Sequence, residues 1–224
     1  MKVGHCQAID SFLNCLNVKV VLRMHHIDYL NKNTIIKYLS ATQFIELEIL
    51  QSIDSTNNYL LSKIKDKQPL PPGSVVLAEQ QTKGKGRYGR SWVSPYADNI
   101  YLSYYWQSRQ TRADLANLSL VIGVAVISAL AKLGSANYLM KWPNDIVVQN
   151  KKLAGILIET MQITKGLVEL VIGIGVNVKN IATVSDIITQ PVIDLETVLG
   201  HVVSRNQLAG YIISAIKSCL ANAP

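Results

Sequence analysis

The 224-residue sequence predicts an α+β fold in which a mixed β-sheet packs against helices. Strand patterns dominate the middle of the chain, and helical patterns lie between some of them. Strands and helices do not alternate strictly, as they would in a wholly parallel sheet of βαβ units. Hydrophobic residues make up 49% of the chain and charged residues 17%, a composition typical of a folded globular protein.

The first half of the chain shows helical and strand patterns in turn. Residues 31–40 carry an apolar stripe at helical spacing, and residues 44–50 alternate apolar and acidic side chains as a half-buried strand does. Residues 54–57 (DSTN) are all good N-cap types for a helix that runs through Leu60 and Ile64. Strands are also predicted at residues 75–78 and 99–106.

The second half predicts a buried helix, three strands and a final helix. Residues 115–133 are a long apolar run that polar residues interrupt, which favours a buried helix over a membrane span. Pro143 lies inside the first strand and is expected to bend or bulge it, because proline lacks a backbone donor. A tight turn at residues 150–151 joins the first two strands. The strands are predicted at residues 139–149, 153–159 and 167–178, and the amphipathic helix at residues 207–220.

Charge and cysteine content limit the classes of function. The net charge of +7 indicates an anionic partner such as a nucleotide, nucleic acid or an acidic protein. Cys6, Cys15 and Cys219 are an odd number without metal-ligand spacing, so we expect free thiols in a reducing compartment. No metal centre is predicted from the histidines, and the N-terminal residues make a poor secretory signal. We expect a cytoplasmic protein without a membrane span.

A basic, glycine-rich loop at residues 83–92 (KGKGRYGRSW) is the first candidate site. It contains G-x-G-x-x-G, but a dinucleotide site also needs a helix that opens at the glycines, and the following residues do not resemble a helix start. Four cations among three glycines can approach and bind phosphate or carboxylate oxygens. A solvated hairpin tip and a grip on nucleic-acid backbone remain alternatives for this segment alone.

Two further segments place polar groups among apolar strands. Residues 141–145 (KWPND) hold a cation, an amide and a carboxylate, and a bend at the proline would redirect Asn144 and Asp145. The alternative is a turn in which these side chains cap their own backbone. Lys152 begins an apolar strand, and Gly155 within that strand implies close approach of a backbone or a ligand.

Five motifs, in their order along the chain, make it similar to the catalytic domain of biotin–protein ligases. Each motif alone is weak, but five in the family's order and at family-like intervals are specific. The resemblance runs from about residue 49 to residue 177, and more loosely to the end. The motifs are DSTN at 54–57, GKGRYGRSW at 84–92, KWPND at 141–145, KLAGILIE at 152–159 and GIGVN at 173–177.

The resemblance implies a fold like that of class II aminoacyl-tRNA synthetases and a two-step reaction. Biotin and ATP would give biotinyl-AMP and pyrophosphate, with Mg²⁺ accompanying ATP. Biotin would then pass to a lysine of a biotin carboxyl carrier protein, such as a subunit of acetyl-CoA carboxylase. A lipoate or octanoate ligase, and a biotin- or biotinyl-AMP-binding protein with impaired transfer, are the alternatives.

The resemblance also implies three overlapping groups of site residues, which are mostly polar or cationic. The implied catalytic group is Arg87, Lys152 and Asp145. The implied biotin-binding group is Ser55, Thr56, Asn57, Gln81, Lys85, Gly86, Arg87, Lys152 and Gly155. The implied adenylate-binding group is Arg87, Arg90, Trp92, Asn144 and Asn177.

This sequence departs from the family pattern in its loop and in its domains. Lys85 stands where the family often has arginine, and lysine is a point charge without a bidentate fork; Tyr88 replaces a frequently basic residue. We expect residues 1–45 to be the tail of a linker or a remnant of an N-terminal domain. Residues 46–224 would form the catalytic domain, without the family's C-terminal SH3-like barrel. No recognition-helix pattern precedes residue 27, which argues against DNA binding, and a homodimer is left open.

Overall fold

The computed structural model describes residues 27–40, 46–109, 117–164 and 167–221. In chain order, the elements are α1 (Lys32–Ile36), β1 (Leu47–Leu50), α2 (Thr56–Lys65), β2 (Val75–Ala78), β3 (Ile100–Ser108), α3 (Leu118–Ala131), β4 (Leu139–Lys141), β5 (Asp145–Val148), β6 (Lys151–Thr164), β7 (Leu167–Val176), α4 (Leu195–Leu199) and α5 (Arg205–Ala221), with 3₁₀ helices at Arg87–Gly89 and Ile181–Ile187.

The seven strands form one sheet in the order β1-β2-β3-β7-β6-β5-β4. β1 and β2 are parallel, and the other neighbouring pairs are antiparallel. The predicted α+β class with a mixed sheet is therefore confirmed. No helix in the described ranges is long and apolar enough to cross a membrane.

Alternate residues of β6 and β7 point to opposite faces of the sheet. Ile156, Ile172 and Ile174 point to one side, which we call the core face, and are at most 2% exposed. α3 and α5 pack there, and each buried isoleucine side chain contributes about 1.5–3 kcal/mol of hydrophobic free energy. Gly155 and Gly173 point to the other side, which we call the cleft face. α2 packs against β3 and β7 on that face.

A buried ion pair closes one edge of the core. The Arg205 guanidinium donates to Glu79 Oε2 at 2.7 Å, and both side chains are at most 1% exposed. Arg205 also donates to the backbone carbonyls of Asn99 and Asp28, at 3.0 and 2.9 Å. Glu79 Oε1 accepts from the Leu30 backbone at 2.6 Å. The pair thus joins the start of α5, the end of β2 and residues 28–30.

The predicted strand at residues 139–149 is in fact two strands. Lys141 pairs with Asp145 in an antiparallel hairpin, and the Trp142–Pro143 peptide bond is cis. The bend expected at Pro143 is therefore a complete reversal of the chain, which a three-residue link permits.

The turn after β5 lies one residue earlier than predicted. Val148 pairs with Lys151, so the turn residues are Gln149 and Asn150 instead of residues 150–151. Both have positive φ, 51° and 60°, as a two-residue type I′ hairpin turn requires.

Other sequence predictions are confirmed, with small shifts at element ends. β2 lies at the predicted residues 75–78. Ser55 caps α2 by accepting from the Asn58 backbone at 3.5 Å. Cys219 is a free thiol, while Cys6 and Cys15 lie outside the described residues, as do residues 44, 45, 115 and 116 of two predicted elements.

Candidate active site

A cleft lies on the cleft face between the start of α2, the glycine-rich loop and strands β3, β6 and β7. It holds about 480 Å³, including the part that is open to solvent. Every residue of the predicted biotin-binding group lines it. Three members of the predicted adenylate-binding group also line it: Arg87, Trp92 and Asn144.

One end of the cleft is made of buried polar side chains at the start of α2. Ser55, Thr56 and Asn57 are only 2–4% exposed, so their polar groups need partners in the protein or in a ligand. The Thr56 backbone N–H donates to Gln81 Oε1 at 2.9 Å, and this bond holds the Gln81 side chain over the helix start.

Two residues to which the motifs gave no role complete this polar end. Ser103 of β3 is fully buried, and its hydroxyl lies 2.5 Å from Asn57 Oδ1 and 2.7 Å from Thr56 Oγ1. The Asn57 amide nitrogen donates to Glu159 Oε2 at 2.8 Å. Alternation within β3 puts Ser103 on the same face as Tyr101, which lines the cleft, but no motif in the sequence points to either residue.

Glycines on β6 and β7 let side chains lie directly on the sheet. A Cβ at Gly173 would overlap the Asn57 amide. A Cβ at Gly175 would lie 2.5 Å from the Trp92 ring, and one at Gly155 would lie 2.9 Å from it. These glycines therefore fix how deep the cleft is and where the indole lies.

The glycine-rich loop is a closed hairpin over the cleft and does not lead into an α-helix. Gly86 N–H donates to the Arg90 carbonyl at 2.7 Å, and Trp92 N–H donates to the Gly84 carbonyl at 2.9 Å. The 3₁₀ tip begins at Arg87, whose guanidinium reaches Asn144 Oδ1 at 3.5 Å. This geometry excludes a dinucleotide-binding turn, as the sequence predicted.

Cations lie at the other end of the cleft. Lys152 Nζ is 2.9 Å from Asp145 Oδ1, a charge contact in which the two groups are not aligned as a hydrogen bond. The same ammonium lies 5.1 Å from the centre of the Trp92 ring. Arg87, which reaches Asn144, adds a second positive charge at this end. Lys85 lies nearer the polar end, where its Nζ donates to Asn58 Oδ1 of α2 at 2.6 Å.

Three predicted site residues lie outside the lining of the cleft. Asp145 is not part of the lining, and its carboxylate contacts Lys152, which is. Arg90 is exposed on the outer side of the loop. The Asn177 side chain is buried and donates to the carbonyls of Lys152 and Ile193, both at 3.2 Å, so in this structure it braces the start of β6. The adenylate contacts expected of Arg90 and Asn177 remain predictions.

Comparison with known proteins identifies the family. The model of the biotin/lipoate A/B protein ligase family matches residues 49–177, which is more than half of the chain. The chain belongs to this family. The match covers all five motifs and ends at the last residue of the fifth, Asn177.

Curated relatives in this family include ligases from several bacteria. The bifunctional ligase/repressor BirA of Salmonella typhimurium is 41% identical over 172 residues, covering 77% of this chain and 52% of the relative. The biotin–[acetyl-CoA-carboxylase] ligase of Mycobacterium tuberculosis is 35% identical over 137 residues, covering 59% of this chain and 49% of the relative. The chain thus spans about half the length of these relatives.

A solved structure extends the similarity to the fold. The biotin protein ligase from Aquifex aeolicus, in complex with biotin and ATP, superposes with a TM-score of 0.65 and 29% identity. The superposition covers 79% of this chain and 70% of that protein. The sheet and helices therefore form the biotin protein ligase fold, which is related to that of class II aminoacyl-tRNA synthetases.

Proposed function

We propose that this chain provides the catalytic domain of a biotin–protein ligase. The domain activates biotin with ATP to biotinyl-AMP and transfers biotin to a lysine of a carrier protein. The observation that carries this proposal is the division of one cleft into a polar end, whose lining side chains from the start of α2 are buried and uncharged, and a cationic end. A ligand with a neutral polar ring and an anionic tail matches both ends.

The polar end suits the ureido ring of biotin. Thr56 and Gln81 line this end with a buried hydroxyl and a half-buried amide, and the buried Ser103 hydroxyl lies behind Thr56. Leaving such groups unpaired costs about 1–3 kcal/mol each, which penalises a wholly apolar ring there. The dithiolane ring of lipoate has no hydrogen-bond donor, so this end favours biotin over lipoate.

The cationic end suits the first chemical step. A biotin carboxylate oxygen attacks the α-phosphorus of ATP, a new P–O bond forms, and the bond to the leaving pyrophosphate breaks. The step brings two anions, the carboxylate and the phosphate, together. Because Lys152 and Arg87 are already held in place, they neutralise this negative charge and lower the barrier. Mg²⁺ accompanies ATP in this proposal, because phosphate oxygens are themselves suitable ligands for it.

Asp145 has a place in the second step. An acceptor lysine amine attacks the acyl carbon of biotinyl-AMP, an amide bond forms, and AMP leaves with the electron pair of the broken C–O bond. Anions of the ligand compete with Asp145 for Lys152, which frees a carboxylate beside the acyl group. In this proposal Asp145 orients the incoming amine and accepts its proton.

The proposed partner is a biotin carboxyl carrier protein of the acetyl-CoA carboxylase type. Two relatives carry the name biotin–[acetyl-CoA-carboxylase] ligase, which supports this choice. We further propose residues 46–224 as the catalytic unit and residues 1–45 as the tail of a linker or a remnant of an N-terminal domain, whose residues 28–30 bond to Arg205 and Glu79 of that unit. We also propose a cytoplasmic reaction, which the need for ATP and a carrier protein supports.

Pyrophosphate release from the full chain tests the proposal. With ATP and Mg²⁺, we expect release that depends on biotin and not on lipoate or octanoate. Apo carrier protein should then become biotinylated. Release with lipoate alone would favour a lipoate ligase, and activation without transfer would favour a biotinyl-AMP-binding protein; absence of both release and transfer would refute a ligase.

A further inference from the structure

The hydrogen-bond chain at the polar end of the cleft has fewer protons than contacts. Close O···O contacts run from Asn57 Oδ1 through the hydroxyls of Ser103 and Thr56 to Gln81 Oε1, at 2.5, 2.7 and 3.1 Å. Each hydroxyl carries one proton, and the amide oxygens carry none. Two protons therefore serve three contacts, and one contact has no proton between its oxygens.

The side-chain amides of Asn57 and Gln81 are each held in one orientation, because each faces a group that can only donate or only accept a hydrogen bond. The Thr56 backbone N–H can only donate, so the oxygen of Gln81 must face it at 2.9 Å. The Glu159 carboxylate lies 2.8 Å from the Asn57 amide nitrogen, and a backbone carbonyl lies 3.4 Å from the same nitrogen. An ionised carboxylate only accepts, so the Asn57 oxygen must face Ser103. Reversing the Asn57 amide would supply the third proton but would set its oxygen against Glu159.

We propose that Glu159 is a positioning residue that keeps the polar end of the cleft rich in acceptors and so makes it require an N–H donor. The two shorter contacts take the two hydroxyl protons. Thr56 Oγ1 and Gln81 Oε1, which are 3.1 Å apart, then share no proton and form an acceptor pair in the lining of the cleft. A ligand N–H satisfies this pair.

This inference rests on the proposed function and narrows its specificity. The ureido ring of biotin carries N–H groups on both sides of its carbonyl, so it can donate to the pair. Glu159 acts on that bond through Asn57, Ser103 and Thr56, without a place in the lining of the cleft. Its side chain therefore changes the binding of biotin and leaves the binding of ATP unchanged.

Calorimetric titration of biotin into the full chain, without ATP, tests the role of Glu159. Glu159→Gln keeps an oxygen that can accept from Asn57, whereas Glu159→Met fills similar space with no acceptor. We expect the affinity of the Gln variant to stay within about threefold of wild type and that of the Met variant to fall about tenfold. The KM for ATP should be the same in all three proteins.

Glu169→Met is the matched control. Glu169 lies on the cleft face of β7 and accepts from the Tyr105 hydroxyl at 2.6 Å, outside the cleft. Its substitution should leave the affinity for biotin unchanged. Thermal melting of each variant shows that the protein compared is folded.

A double-mutant cycle tests whether Glu159 acts through the chain of hydrogen bonds from Asn57 to Thr56, which we call the relay, or through local packing. Ser103→Ala removes the hydroxyl that carries the orientation of Asn57 to Thr56. In that background, Glu159→Met should weaken biotin binding by less than about twofold, because coupled residues are not additive. A full tenfold loss in the Ser103→Ala background would overturn the relay.

The remaining outcomes distinguish this inference from the proposed function. Equal weakening in the Gln and Met variants, or weakening in the Glu169→Met control, overturns the role of Glu159 and leaves the proposed function intact. Biotin binding without pyrophosphate release contradicts only the proposed activity. If the wild-type chain does not bind biotin, both are overturned.

Discussion

The two faces of β7 differ although they alternate along one strand. On the core face, Ile172 and Ile174 pack in the apolar interior with the helices. On the cleft face, Gly173 and Gly175 carry no side chain, and Asn57 and Trp92 lie against them. Val171 of the cleft face also packs with α2, but most of the apolar burial is on the core face and the room for a ligand is on the cleft face. Substitutions on the core face should therefore lower stability, while those on the cleft face should lower activity.

The largest expected effect is on the core face, at Arg205→Leu. The substitution leaves Glu79 buried without its cation, and we expect the free energy of unfolding to fall by about 3–5 kcal/mol. Urea unfolding measures the change. Lys65→Leu, at an exposed position of α2, is the control and should be close to neutral. A loss in Arg205→Leu no greater than in the control would show that the pair does not close the core.

On the cleft face, Lys152→Ala should remove activity and preserve stability. Loss of a fixed cation at a site of developing charge costs about 10²–10³-fold in rate. Biotin-dependent pyrophosphate release measures the loss, with Lys65→Ala as a control that should keep the wild-type rate. Equal rates in the two variants would contradict the role of Lys152.

Arg87→Gly should have a smaller effect on the cleft face. Arg87 lines the cleft from the tip of the loop, so its loss should shorten the lifetime of bound biotinyl-AMP about tenfold. Rapid dilution of the preformed complex measures release. Lys83→Gly places the same change in an exposed residue of the same loop and should leave the lifetime unchanged. Matched lifetimes in the two variants would count against a role of Arg87 in holding biotinyl-AMP.

The smallest expected effect is a change in stability at alkaline pH, caused by Tyr104 on the core face. Burial raises the pKa of the Tyr104 hydroxyl from its ordinary value of 10.0 to about 12. Between these values the unfolded chain binds fewer protons than the folded one, so stability falls as pH rises through this window. Tyr104→Phe removes this contribution, and its stability should fall less steeply from pH 10 to 12 than that of wild type.

Urea unfolding at a series of pH values tests whether stability falls in this window as predicted. Tyr88→Phe, at a side chain that is 85% exposed, should follow the wild-type curve. Parallel curves for wild type and Tyr104→Phe across the window would show that burial of this hydroxyl does not contribute to alkaline unfolding.

Local patterns predicted the elements whose causes are local. The apolar run at residues 75–78 is β2, and Ser55 caps α2 as its residue type indicates. Hairpin positions were less accurate. The reversal at residues 142–144 and the turn at Gln149 depend on the register in which the strands pair. The local sequence does not determine that register to within one residue.

The candidate site was predictable only as far as its motifs extend. Motif residues such as Thr56 and Lys152 line one cleft. Glu159, which ends a motif, and Ser103, which lies outside the motifs, received no role. Their partner Asn57 is 46 residues from Ser103 and 102 residues from Glu159 along the chain, so no local pattern connects them. Asn177 is the opposite case, because its motif predicted a place in the site but its side chain points away from the cleft lining, toward the carbonyls of Lys152 and Ile193.

The central claim is that the cleft face activates biotin. Native mass spectrometry of the full chain after incubation with biotin, ATP and Mg²⁺ tests it most directly. We predict a non-covalent complex with the mass of biotinyl-AMP on the wild-type chain, and none on Lys152→Ala. Its absence from folded wild-type protein, or equal amounts on both proteins, would contradict the account.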